Sequence, residues 1–120
     1  LGLGDGGAHC GAICDASVTT FLLTHWVRDR TRGATLPLTD VVRKLTLDNA
    51  TFYGLGDRGS VELGKRADLN VVDLDGLQLH APALVYDLPA GGRRFMQGAT
   101  GYRATVVAGQ VTFRDGEWTG

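Results

Sequence analysis

Apolar positions between residues 15 and 54 recur at helical spacing, whereas those after residue 58 come in short runs cut by turns. Val18, Phe21, Leu22, His25 and Trp26 fall at i, i+3, i+4, i+7 and i+8, which is one face of an amphipathic helix. Asp15 or Ser17 can cap that helix through a side-chain oxygen, and Gly33 is expected to end it. A second helix is expected in LPLTDVVRKLTLDNA. Pro37 punctuates its start, Thr39 or Asp40 is the expected cap, and Leu38, Val41, Val42 and Leu45 form its apolar stripe. Asn49 is the expected cap of one further turn, which Gly54 closes. Ahead of both helices, residues 2–14 read as a glycine-rich loop.

The period then changes. In GSVELGKRADLNVVDLDG, Leu69, Val71 and Val72 make a short strand between Asp68 and Asp73, and strand is expected across most of residues 60–73. Residues 76–103, with Pro82, Pro89 and the Gly91–Gly92 pair, read as a long loop or a set of short strands. Residues 103–119 carry two hairpin signals. Asp115–Gly116 is a strong type I′ turn, and Ala108–Gly109 a weaker one, because alanine resists the positive φ of the first turn position. The chain is therefore α+β in class, helical with a leading loop over residues 1–57 and β-rich over residues 58–120.

Composition narrows the partners. The net charge of −1 gives no basic footprint for nucleic acid and no polybasic membrane surface. The sequence holds no apolar run long enough to span a bilayer and no visible signal peptide. Two cysteines, Cys10 and Cys14, fit a reducing, cytoplasmic compartment better than a disulfide scaffold. Glycine, at 18 of 120 residues, stands at about twice its ordinary share and sits at element ends, as punctuation.

The candidate chemistry begins with LGLGDGGAHC at residues 1–10, where Asp5 lies in a bed of glycine with His9 after it. Taken alone, a carboxylate there is a turn residue or helix cap; the alternative is a reactive group that glycine lets substrate approach closely. His9 can line a pocket or be a hydrogen-bonded loop residue. His9, Cys10 and Cys14 match no zinc-site spacing, and small buried thiols are the plainer reading. His25 is expected at the edge of the core, His80 has no partner in view, and Arg93 and Arg94 form either a solvated pair or a carboxylate-binding pair. No Ser–His–Asp set, P-loop or dinucleotide fingerprint is present.

Three segments carry a resemblance. GDGGAH at residues 4–9, LPLTDVVRKLTLDNATFYGLGDRGSVELGKRADLNVVDLD at residues 36–75 and VVAGQVTFRDGEWTG at residues 106–120 together resemble the amidohydrolase superfamily. DLPAGGRRFMQGATGY at residues 87–102 is similar to its D-aminoacylase branch, the N-acyl-D-amino-acid deacylases. The likeness covers nearly the whole chain, but only the C-terminal portion of those longer enzymes. It implies an α+β fragment: residues 1–57 as the last strand-loop and helices of a (β/α)8 barrel, residues 58–120 as part of a β-sandwich. It also implies that Asp5, at the end of the eighth barrel strand, is the catalytic proton acceptor and a metal ligand or a neighbour of the metal, with zinc as the cofactor and His9 near the substrate. The expected substrate is a small N-acyl amino acid, hydrolysed at a linear amide C–N bond. The superfamily's HxH pair and its other metal ligands are absent here, so the chain by itself is expected to be inactive, with the remaining ligands and the rest of the parent barrel outside it. Two alternatives stand beside this: a noncatalytic β-rich interaction module, and an amidohydrolase of another chemistry, a deaminase or a cyclic-amide hydrolase.

Overall fold

The computed structural model describes residue 11 and residues 15–120. The first helix starts as α1 (Val18–Phe21) and continues without a break as a π-helix over Leu22–Asp29. It stops at Arg30, whose backbone is extended, so Gly33 lies in the following loop and is not the helix terminator expected from sequence. Ser17 occupies the N-cap position but makes no capping bond with its side chain. The expected apolar stripe is only partly covered: Phe21 is 43% exposed, while Thr20 and Thr24 are the buried positions of this helix. The wider i→i+5 ladder of a π-helix turns the side chains away from the 3.6-residue stripe. The Thr24 hydroxyl donates back to the Thr20 carbonyl at 3.2 Å, which competes with the regular ladder.

The second helical region is split. Helix α2 spans Leu38–Leu45 and α3 spans Leu47–Phe52. Pro37 itself is the N-cap of α2; Thr39 and Asp40 lie inside the first turn, where Asp40 faces the positive end of the helix dipole instead of capping it. Thr46 separates the two helices, its hydroxyl donating to the Val42 carbonyl at 2.7 Å. Asn49 lies within α3 and so does not cap a further turn. Val41 and Ala50 point inward and are buried. Gly59 packs against α3 so closely that an added Cβ would stand 2.6 Å from the Ala50 Cβ, which requires glycine there.

The β region is built from antiparallel pairs. Strands β1 (Leu69–Val72), β6 (Tyr102–Val107), β7 (Gln110–Arg114) and β8 (Glu117–Trp118) form one sheet in the order β1-β6-β7-β8. Strand across most of residues 60–73 is not what forms: only Leu69–Val72 is strand, and the residues before it run through turns, spaced by Gly59 and Gly64. Residues 76–103 take the second of the two expected forms. Strands β2 (Gln78–Leu79) and β5 (Ala99–Thr100) pair outside the β3 (Ala83–Leu88) and β4 (Gly92–Met96) hairpin, which closes through a 3₁₀ turn at Pro89–Gly91.

Both expected hairpin turns form. Asp115 and Gly116 have φ of 48° and 88°, and Ala108 and Gly109 have φ of 50° and 82°. Ala108 is held in this unfavourable region because its N–H donates to the Asp68 carboxylate at 2.7 Å and the Gly109 N–H donates to the Ala67 carbonyl at 3.0 Å. Leu77 is fully buried beneath Gly101, where any Cβ would lie 2.5 Å from the Leu77 Cα. The apolar core of the described residues is small: Val41, Ala50 and Leu77. Against it stand Phe52 at 68%, Val61 at 85% and Leu63 at 105% exposure, an apolar surplus unusual for a free-standing surface.

Candidate active site

Asp5, His9, Cys10 and Cys14 lie outside the described residues, so the site is approached from the chain that follows them. The first helix is fixed at its start by side chains from the β region. The Ser17 hydroxyl, free of its own helix, donates to Gln97 Oε1 at 2.5 Å, and Gln97 Nε2 donates to the His80 carbonyl at 2.8 Å. One turn on, the Thr20 and Tyr102 hydroxyls are 2.7 Å apart, and Thr20 is buried. At the helix end, Arg28 binds the far wall. Its Nη1 donates to the Leu74 and Asp75 carbonyls and its Nη2 to the Leu77 carbonyl at 2.9 Å, while the same guanidinium forks onto Asp29.

The other sequence candidates have ordinary partners. His25 stacks on Phe21 at 4.9 Å and meets the edge of Trp26 at 5.4 Å, with the Arg30 guanidinium 4.6 Å from the Trp26 ring. That is an aromatic face of the helix. Arg94 is not left for a substrate carboxylate: it grips Asp87 with Nε at 2.8 Å and Nη2 at 2.6 Å across the β3–β4 hairpin. Arg93 is exposed. The His80 backbone N–H donates to the Gly98 carbonyl, so the residue serves the β2–β5 connection. Among the described residues, no group of three His, Cys, Asp or Glu side chains could hold a metal ion, and no helix is long and apolar enough to cross a membrane.

The described carboxylates with shifted pKa values all move down. The Ala108 N–H, and then Arg66 and Arg58, hold Asp68 below the usual range. The Gly76 N–H and Arg103 do the same for Asp73, and Arg94 for Asp87. A general base for hydrolysis near neutral pH needs a raised pKa or a free, accessible carboxylate. These groups are fixed anions that staple turns, and none is poised to take a proton.

A cavity of about 720 Å³ separates the helices from the sheet, with Leu23, Leu45 and Ala50 on one wall and Leu69, Val72 and Tyr102 on the other. Asn49 and Asn70 are its amide-bearing residues.

Sequence patterning missed Gln97, Tyr102, Thr20 and Arg28, the residues that tie helix to sheet. One signal was present: Thr20 and Thr24 recur at i and i+4, as a polar stripe beside the apolar one. It identifies a polar face in need of partners and cannot name partners some eighty residues away.

The sequence model of the Amidohydrolase family matches residues 1–113, a span that includes the glycine-rich stretch, the helices and all but the end of the β region. No curated protein and no solved structure matches the chain.

Proposed function

Because this chain belongs to the amidohydrolase family, we propose that it is the C-terminal part of a hydrolase that cleaves a linear amide C–N bond, with an N-acyl-D-amino acid as substrate. The observation that carries this is the family match beginning at residue 1, which takes in the GDGGAH stretch and Asp5. The likeness of residues 87–102 to the D-aminoacylases supports the linear substrate over a cyclic amide or a deaminated base. In this reading residues 1–57 end a (β/α)8 barrel and residues 58–120 contribute to a β-sandwich. The exposed Phe52, Val61 and Leu63 support it, because a larger domain would cover them.

Asp5 is the proton acceptor. Water adds to the amide carbonyl carbon as its proton passes to the Asp5 carboxylate; the C–N bond then breaks, and the same proton is returned to the departing amine. The products are a carboxylic acid and a free amino acid, and Asp5 ends as it began. His9 lines the substrate side of this stretch. Zinc suits the family reading and would sharpen the electrophile when bound. One carboxylate is not a zinc site, and the described residues add none. The metal would be held mainly by ligands outside this chain, and the chain alone would neither bind it tightly nor turn over substrate. A reducing, cytoplasmic setting fits the two cysteines.

The experiment is a substrate panel on the longer protein: N-acetyl-D-amino acids, their L enantiomers, a cyclic amide and an aminated base. Turnover of the D series, with the L series at least about tenfold slower in kcat/KM, is expected. Preference for the cyclic amide or for ammonia release would overturn the linear-deacylase reading.

A further inference from the structure

We propose that the cavity between the helices and the sheet is a binding site for a small organic acid with an apolar body, its carboxylate held by Arg66 and its hydrocarbon part by Leu23, Leu45, Leu69 and Val72. The site shares no residue with the reading of Asp5 above and stands independently of it.

The cavity, at about 720 Å³, falls within the ~300–1,000 Å³ of small-molecule sites. Leu23 and Leu45 face it from the helices, and Leu69 and Val72 from β1, so a hydrocarbon chain between them would leave water on both sides. Arg58, Arg66 and Asp68 line the same cavity and are bonded to one another. The two arginines differ. Arg58 is fully engaged: its Nε and Nη2 fork onto Asp57, and its Nη1 donates to Asp68. Arg66, among the described residues, makes its side-chain hydrogen bonds through Nε alone, to Asp68 at 2.9 Å. Its Nη1 and Nη2 remain as a pair of parallel donors, spaced for one carboxylate.

Asp68 is not free to swing round and close that pair. It also accepts from Arg58 Nη1 at 3.2 Å and from the Ala108 N–H at 2.7 Å. Arg66 is fixed at its backbone as well, where its N–H donates to the Asp57 carbonyl at 2.7 Å. A guanidinium held in this way loses little freedom when it takes a ligand. One open fork suits a carboxylate. A phosphate group takes donors on three oxygens, and Arg58 and Arg66 are the only cationic side chains among the described residues lining the cavity. A hydrocarbon body with one terminal carboxylate therefore matches both the walls and the open fork.

The test is equilibrium dialysis of labelled octanoate against the longer protein. Saturable binding at one site is expected. Octanol, which has the chain without the charge, should bind at least about tenfold more weakly, the worth of a charge-assisted bond. Butyrate, which has the charge on a shorter chain, should also bind at least about tenfold more weakly. Arg66→Ala should weaken octanoate about tenfold or more, and Arg66→Lys should recover part of the loss. Arg93→Ala, which removes an exposed arginine outside the cavity, should bind as the wild type does. Three results would each overturn the proposal: no saturable octanoate binding, as when the rest of the longer protein fills the cavity; octanol binding as tightly as octanoate; or wild-type affinity in Arg66→Ala, which would put the acid at another site. The ligand series uses unaltered protein, so it decides the matter even if Arg66→Ala fails to fold.

Discussion

In the β region, residues 58–120, almost every turn is secured by a group close in sequence or on the adjoining strand. Asp73 accepts from the Gly76 N–H, Asp87 takes Arg94 across its own hairpin, and Arg103 reaches Asp73 and Asp115 from the strand between them. In the helical region, residues 15–54, the first helix is secured from far along the chain. Its start hangs on Gln97 and Tyr102, and its end on the carbonyls of Leu74, Asp75 and Leu77. Local pairing makes a region readable and self-supporting. Distant pairing makes it dependent, and it also lets one region set the geometry of another. In sequence, Asp5 lies ahead of the dependent region.

Substituting Leu77 tests that dependence hardest. This side chain is fully buried, and its carbonyl receives Arg28. Leu77→Ala should cost about 2–5 kcal/mol, the range for a buried leucine. By hydrogen exchange, the amides of residues 18–29 should lose protection well before those of the β6–β7 hairpin. Equal loss in both regions would erase the contrast drawn here.

Gly59→Ala is the converse, a blow within reach of the helices alone. The new methyl would collide with the Ala50 Cβ at 2.6 Å, at a backbone φ of 92° that alanine resists. A loss of about 1–3 kcal/mol is expected. Exchange should rise across α3, and the β6–β7 hairpin should stay protected. Loss of protection in that hairpin would show that the sheet leans on α3.

Acid should bring a smaller, graded loss. Asp68, Asp73 and Asp87 have folded pKa values below their unfolded ones. Their contribution is complete above the unfolded value near ~3.9 and disappears as pH falls through the lowered folded values. Thermal melts should be flat from neutral pH down to about pH 5 and fall below about pH 4. Asp68→Asn should blunt that fall, because its carboxylate carries the Ala108 turn and two arginines. An undiminished acid transition in Asp68→Asn would mean that other carboxylates govern it.

The same contrast explains what could be read from sequence. Asp115–Gly116 and Ala108–Gly109 were legible as turns because the positive-φ requirement is written in the residues themselves. Gly33 and the caps at Thr39, Asp40 and Asn49 misled, since a proline already starts α2, and the first helix ends at Arg30 before its glycine. The π-helix was invisible to a search at period 3.6, and buried Thr20 and Thr24 fall outside the apolar stripe such a search picks out. Nothing near Ser17 announces Gln97, because side-chain pairing over such a span carries no periodic signal. Asp5 and His9 were legible as candidates only through glycine spacing and family likeness, and both lie outside the described residues.

The most direct measurement is kcat of the longer protein on an N-acetyl-D-amino acid, wild type against Asp5→Asn, with metal content and melting temperature recorded alongside. Asparagine keeps the shape and removes the basicity. If Asp5 moves the proton, kcat falls by about 10²–10⁴, which is about 3–5 kcal/mol of barrier, while KM, metal content and melting temperature hold. An Asp5→Asn protein that keeps its metal and more than about a tenth of the wild-type kcat would contradict the account and leave Asp5 a turn residue on the way into the first helix.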